Sequence, residues 1–151
     1  MIDFSVNQLV GKTIAPRHWR TWLDGVERAT RLTRQTELSI AVVSATTMKQ
    51  LNRQYRGKDR ATDVLSFAER DSRPALPRQE ATEQLGEVII CYSKAVAQAK
   101  TQGRPLLDEV QLLFVHGVLH LLGYDHATDR EAARMERLEQ RILTSSVKSK
   151  T

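Results

Sequence analysis

The sequence predicts an α/β (α+β) fold, a mixed four-stranded sheet with helices packed on it and a buried central helix. Three observations carry that expectation. Short runs rich in β-branched residues alternate with segments of helical periodicity, the helices gather toward the C-terminal end, and one of them is apolar almost all round. At 151 residues the chain reads as a single domain over 1–144, long enough to bury a sizeable core, with a flexible tail over 145–151. A hydrophobic content of 40% beside 27% charged residues is ordinary for a soluble globular protein. No apolar run approaches the ~20 residues of a membrane span, and the N-terminus lacks the basic start and apolar core of a signal peptide. The single cysteine permits no internal disulfide and fits a reducing compartment. These features predict a cytoplasmic protein with no membrane partner.

Each element has its own justification. Residues 2–7, IDFSVN, alternate apolar and polar and read as a strand. Pro16 suits the first turn of a helix whose inward stripe is Trp19, Trp22, Leu23, Val26 and Ala29. His18 lies beside that stripe as a surface or structural residue, and the tryptophan pair belongs to the core. Residues 37–43, ELSIAVV, form a central strand. Thr46 or Thr47 caps the next helix, with Met48, Leu51 and Tyr55 inward and Lys49, Arg53, Arg56, Lys58 and Arg60 along its polar side and exit. Gly57 and Asp59 turn the chain toward a strand at 64–68, VLSFA, and Thr62 and Asp63 fix that turn.

Residues 69–84, with Pro74 and Pro77, read as a loop. The run 86–92, GEVIICY, is apolar on both faces and so an interior strand, with Cys91 as an inert buried thiol. Ser93 caps a short helix through Ala99 that ends near Gly103. Pro105 then sits just inside the start of the apolar helix, where Asp108 and Glu109 suit the positive end of its dipole. Thr128-Asp129-Arg130-Glu131 is a capping box for a last helix with Ala132, Met135, Leu138 and Ile142 inward. Periodicity says nothing of strand order.

The chemistry concentrates in the apolar helix. Three of the chain's four histidines fall within residues 114–126, FVHGVLHLLGYDH. His116 and His120 are one helical turn apart, so their rings share a face. Gly123 allows the chain to leave the helix in a left-handed conformation, and the following turn can return His126 over that face. The surrounding leucines and valines offer these rings no partner, and a buried unpaired polar group costs roughly 1–3 kcal/mol. One zinc ion, Zn2+, held by His116, His120 and His126 would satisfy all three together. Three ligands with an open fourth position suit catalysis, since structural zinc takes four protein ligands.

The spacing is also that of the extended zincin motif, H-E-x-x-H-x-x-G-x-x-H. Gly117 stands where the motif has its glutamate, the general base of a peptidase, so the metal ligands come without that base. Asp125 either supports a ligand N–H or the metal's water, or simply forms the turn. Glu87, at the start of the interior strand, is either an inward carboxylate or an edge-exposed surface residue. Residues 1–78 carry 14 Lys and Arg against 8 Asp and Glu, whereas 79–151 carry 9 against 10. The basic half can therefore supply a field for a polyanion. Arg56 is the preferred cation, because a guanidinium grips phosphate through two hydrogen bonds at once. Arg53, Lys58 and Lys49 would extend a track for the substrate backbone.

The block from His116 to His126, together with YRGKDRATDVLSF and GEVIIC, closely resembles the YbeY family of bacterial endoribonucleases, over residues 37 to 142. The resemblance implies one zinc on His116, His120 and His126, and places the family's catalytic arginine on Arg56. It implies a zinc-dependent endoribonuclease specific for single-stranded RNA, acting in small-subunit ribosomal RNA (rRNA) 3′-end processing and ribosome quality control. The small ribosomal subunit or its proteins would be partners. Two positions depart from the family pattern: Ala61 replaces a usual proline, and Glu87 replaces a usual aspartate. The rival readings are a zinc metallopeptidase-like hydrolase, which Gly117 disfavours, and a non-catalytic RNA-binding ribosome assembly factor with structural zinc. The residues do not distinguish water from the ribose 2′-hydroxyl as nucleophile.

Overall fold

A computed structural model describes residues 1–69 and 83–149. Its strands are β1 (Ile2–Gln8), β2 (Thr36–Val43), β3 (Val64–Ala68) and β4 (Glu83–Cys91), and its helices are α1 (Pro16–Thr30), α2 (Ala45–Arg56), α3 (Tyr92–Gln102), α4 (Leu106–Leu121) and α5 (Asp129–Ser149). The four strands form one sheet in the order β1-β2-β4-β3. β1, β2 and β4 run parallel, and β3 pairs antiparallel with β4. The sheet is therefore mixed, with β2 and β4 interior, and each of these strands ends in a run, IAVV and VIIC, that is apolar on both faces. Among the described residues no helix is long and apolar enough to cross a membrane.

The side chains on the two faces of β4 explain how the site is placed. Val88 and Ile90 point into the larger core, where they meet α1, α4 and α5 through Trp19, Trp22, Leu23, Phe114, Val115, Val118 and Ile142. Ile89 and Cys91 point the other way and pack with Met48 of α2, Leu65 and Val43. The α4 helix lies at the centre, with Phe114, Val115, Val118 and Leu119 wholly buried. Phe114 meets the rings of Trp19 and Trp22 at centroid separations of 4.9 and 6.1 Å. A helix gripped by aromatic side chains on one flank and the sheet on another presents only a narrow stripe to solvent. His116 and His120 are half-buried on it.

Several boundaries differ from the sequence reading. Ser44, not Thr46 or Thr47, caps α2: its backbone is extended and its hydroxyl accepts from the Thr47 amide at 3.2 Å. The threonines already lie in the first turn. Tyr55 is 60% exposed rather than inward. Asn52 takes the buried position on that helix, and its amide donates to the Arg60 carbonyl at 2.9 Å. Arg56 is the last residue of α2, and Gly57 closes the helix in the left-handed conformation. Ser93 caps nothing, because α3 begins at Tyr92 directly from the end of β4. Pro105 is the N-cap of α4 rather than its first helical residue.

Of the expected loop, residues 70–82 lie outside the described residues, while Glu83 and Gln84 belong to β4. Residues 145–149, read as the start of a flexible tail, have helical backbone in α5, and 150–151 lie outside the described residues. The capping-box threonine behaves as expected, its hydroxyl accepting from the Glu131 amide at 3.1 Å.

Candidate metal centre

The centre is assembled at the C-terminal end of α4. His116 and His120 project from successive turns with ring centroids 4.7 Å apart. The helix stops at Leu122, and Gly123 follows at φ 100, a conformation L side chains rarely adopt. Amides of Gly123 and Tyr124 bond back to the carbonyls of His120 and Leu119, both at 3.0 Å, which tightens the exit. That turn carries His126 to 5.9 Å from the His116 ring and 5.1 Å from the His120 ring. The ligand nitrogens of the three residues all lie within 4.8 Å of one another. Among the described residues this is the group of His, Cys, Asp and Glu side chains close enough to share one ion, and it contains no fourth ligand.

The surroundings of His120 suit a cation ligand. Burial, and then the neighbouring charges of His116 and His126, push the His120 pKa below the ordinary histidine value. His120 is thereby kept neutral with a lone pair to offer, the form a metal requires. His116 is held from behind: its Nδ1 lies 2.6 Å from Glu139 Oε1 on α5. The Nδ1 atom is thus turned toward the carboxylate and away from the cleft-side ring edge that carries Nε2. Three clustered imidazoles, one beside a carboxylate and another favoured in its unprotonated form, could hold a single metal ion.

Gly117 has a structural reason to be glycine. A Cβ built there would stand 2.9 Å from Val88 Cγ1 and 3.4 Å from Val64 Cγ2. The position faces the sheet, so no glutamate fits where the zincin motif has its base. Gly117→Glu is expected to lower stability by several kcal/mol, on the order of 3 or more, through overpacking and burial of a charge. Thermal melting should show the loss, and peptidase activity should not appear.

A cleft of about 480 Å³ opens over the histidines. One wall is α4, with Leu112 and Leu113 beside His116; the other is edge strand β3, with Val64, Leu65 and Ser66. Arg56 lines the same cleft. Its Nη2 donates to the Ser66 carbonyl at 3.2 Å, and its guanidinium lies 5.8 Å from the centre of the Phe67 ring. Thus α2, packed on the opposite face of the sheet, ends with a cation that reaches the cleft at the β3 edge.

The other candidates are placed differently. Lys49, Arg53 and Lys58 are exposed, and none is among the residues lining the cleft. Lys49 stands 4.0 Å from Asp59. Asp125 accepts from the His126 amide at 2.7 Å, and its Oδ1 is 3.8 Å from His126 Nδ1, so its visible contact is that of a turn residue. Asp63 does hold the entry to β3, accepting from the Val64 amide at 2.8 Å, and it also borders the cleft. Glu87 pairs in register with Phe67 and Ser39 and shares the α2 face with Ile89 and Cys91. It is half-buried on an interior strand rather than edge-exposed, and burial raises its pKa. It does not line the cleft. Glu139 was not anticipated, although it falls four residues after Met135 and three before Ile142, on the line of the inward stripe.

A family model described as endoribonuclease YbeY matches residues 5–147. The chain belongs to the YbeY family. Among curated YbeY relatives, each named endoribonuclease YbeY, that of Paramagnetospirillum magneticum is 49% identical over 72% of this chain and 66% of its own length. That of Chromohalobacter salexigens is 43% identical over 81% of this chain and 76% of its own. The fold also matches a Thermotoga maritima protein solved in solution, with a TM-score of 0.62 at 24% identity, covering 97% of this chain and 89% of that one. At the position where the YbeY pattern usually has proline, Ala61 packs against the small apolar cluster around Met48. The Asn52–Arg60 bond secures the same turn.

Proposed function

We propose that this YbeY-family chain is a zinc-dependent endoribonuclease that cleaves single-stranded RNA in the cytoplasm. Its substrate in this reading is rRNA, in small-subunit 3′-end processing and ribosome quality control, with the small ribosomal subunit or its proteins as partner. The observation that carries the reading is the convergence of three imidazoles and one guanidinium on a single open cleft. Zinc bound there would supply Lewis acidity, making water at the site far more acidic than it is in bulk.

The chain's own residues supply the rest. His116, His120 and His126 would hold the ion at the wall of the cleft. Arg56 binds the phosphate and stabilises the charge that builds on its oxygens during cleavage. The open cleft admits a flexible single strand, whose unpaired bases can settle against Val64, Leu112 and Leu113. Attack by water and attack by the ribose 2′-hydroxyl both place charge beside Arg56, and the two leave different end groups.

The test is metal removal. Chelator-stripped protein is expected to lose cleavage of a single-stranded RNA and to regain it when about one equivalent of zinc is restored. A duplex of the same sequence should resist throughout. Undiminished cleavage by metal-free protein would remove the proposal.

A further inference from the structure

We infer that Glu139 is a positioning residue of the metal centre, fixing His116 in the tautomer and ring orientation that present Nε2 to the ion. The inference rests on the metal reading of the three histidines and adds to it a residue from a different helix. Glu139 is 23 residues downstream of His116, on α5, with a side chain only 15% exposed. Its Oε1 lies 2.6 Å from Nδ1, a charge-assisted hydrogen bond.

A neutral imidazole has two tautomers, and only the one protonated at Nδ1 offers Nε2 to a metal. A carboxylate at Nδ1 selects that tautomer and makes the coordinating nitrogen more basic. The carboxylate cannot wander. Met135 and Ile142, on the same side of α5, are buried in the core that also encloses α4. Of the three histidines, His116 has this support: Asp125 stands near His126 but spends its Oδ1 on the backbone amide.

The test separates this role from both folding and catalysis. Zinc affinity is read by chelator competition without RNA, and the His116 tautomer by two-bond 15N–1H NMR, in wild type, Glu139→Ala and Glu139→Gln. Glu139→Ala is expected to bind zinc about 10–100-fold more weakly. In the metal-free state its His116 should move from the Nδ1–H toward the Nε2–H form. Glu139→Gln, whose amide oxygen still accepts from Nδ1, should keep the tautomer and lose less affinity. It also preserves volume, so it remains decisive if the alanine variant fails to fold: a His116 in the Nε2–H form in wild type would overturn the proposal. Wild-type zinc affinity in a folded Glu139→Ala would overturn it too while leaving the metal site standing. Absence of zinc binding in wild type itself would instead bring down the metal reading.

Discussion

His116→Ala is expected to purify without its metal ion and to cleave single-stranded RNA at least about 10³-fold more slowly than wild type, since water then loses most of the acidification that zinc provides. The argument is geometric. His116 and His120 stand on a helix fixed in the core, and His126 is brought over them by the turn at Gly123. Removing one imidazole leaves two ligands, too few for the three-ligand set that catalytic zinc uses. The fold should survive, because the His116 side chain is 37% exposed and packs at the cleft rather than in the core. Elemental analysis, circular dichroism and a gel-based cleavage assay read the three quantities separately. A folded variant that still carries stoichiometric metal would exclude His116 as a ligand.

Arg56→Ala is expected to keep both fold and metal while cleaving about 10²–10³-fold more slowly, the usual cost of removing one donor aimed at developing charge. The side chain is exposed, with one hydrogen bond to Ser66 and a contact with the Phe67 ring. Little folding energy therefore depends on it. Arg56→Lys should recover only part of the rate, because an ammonium keeps the charge but not the planar fork that binds two phosphate oxygens. A metal assay on the same preparations separates this outcome from that of His116→Ala. Full activity in a metal-replete Arg56→Ala would remove the arginine from the mechanism and leave the metal centre intact.

The cluster of three histidines was legible because its geometry is local. Two of them are set by the pitch of one helix and the third by a glycine three residues past His120, all within eleven positions. The interior strands were legible for a similar reason, since 37–43 ends in β-branched residues and 86–92 is apolar on both faces but for Glu87. Strand order was not, because the antiparallel placement of β3 beside β4 depends on which edge is left once α2 has crossed. Glu139 escaped notice because its partner is 23 residues away on another helix, and one acid more on a helix rich in Glu and Arg looks solvent-exposed. Tyr55 was misplaced by a helical stripe that also fits Asn52, where a polar side chain is buried because it can hold the Arg60 carbonyl. The basic cluster of Lys49, Arg53, Arg56 and Lys58 reads as one patch in sequence. The helix spreads Lys49, Arg53 and Arg56 around its circumference and Lys58 lies past its end, so of the four Arg56 lines the cleft.

The five residues of β3 have a sheet neighbour on one side only, yet they serve both halves of the site. Val64 abuts the bare flank of Gly117, the Ser66 carbonyl holds the guanidinium, and the Phe67 ring lies beneath it. Sliding this strand along β4 by a single residue would exchange its faces, turning the perch of the cation away from the histidines. Alignment of one short ribbon at the margin of the sheet thus sets the spacing between histidines and arginine, a spacing that neither helix could hold alone.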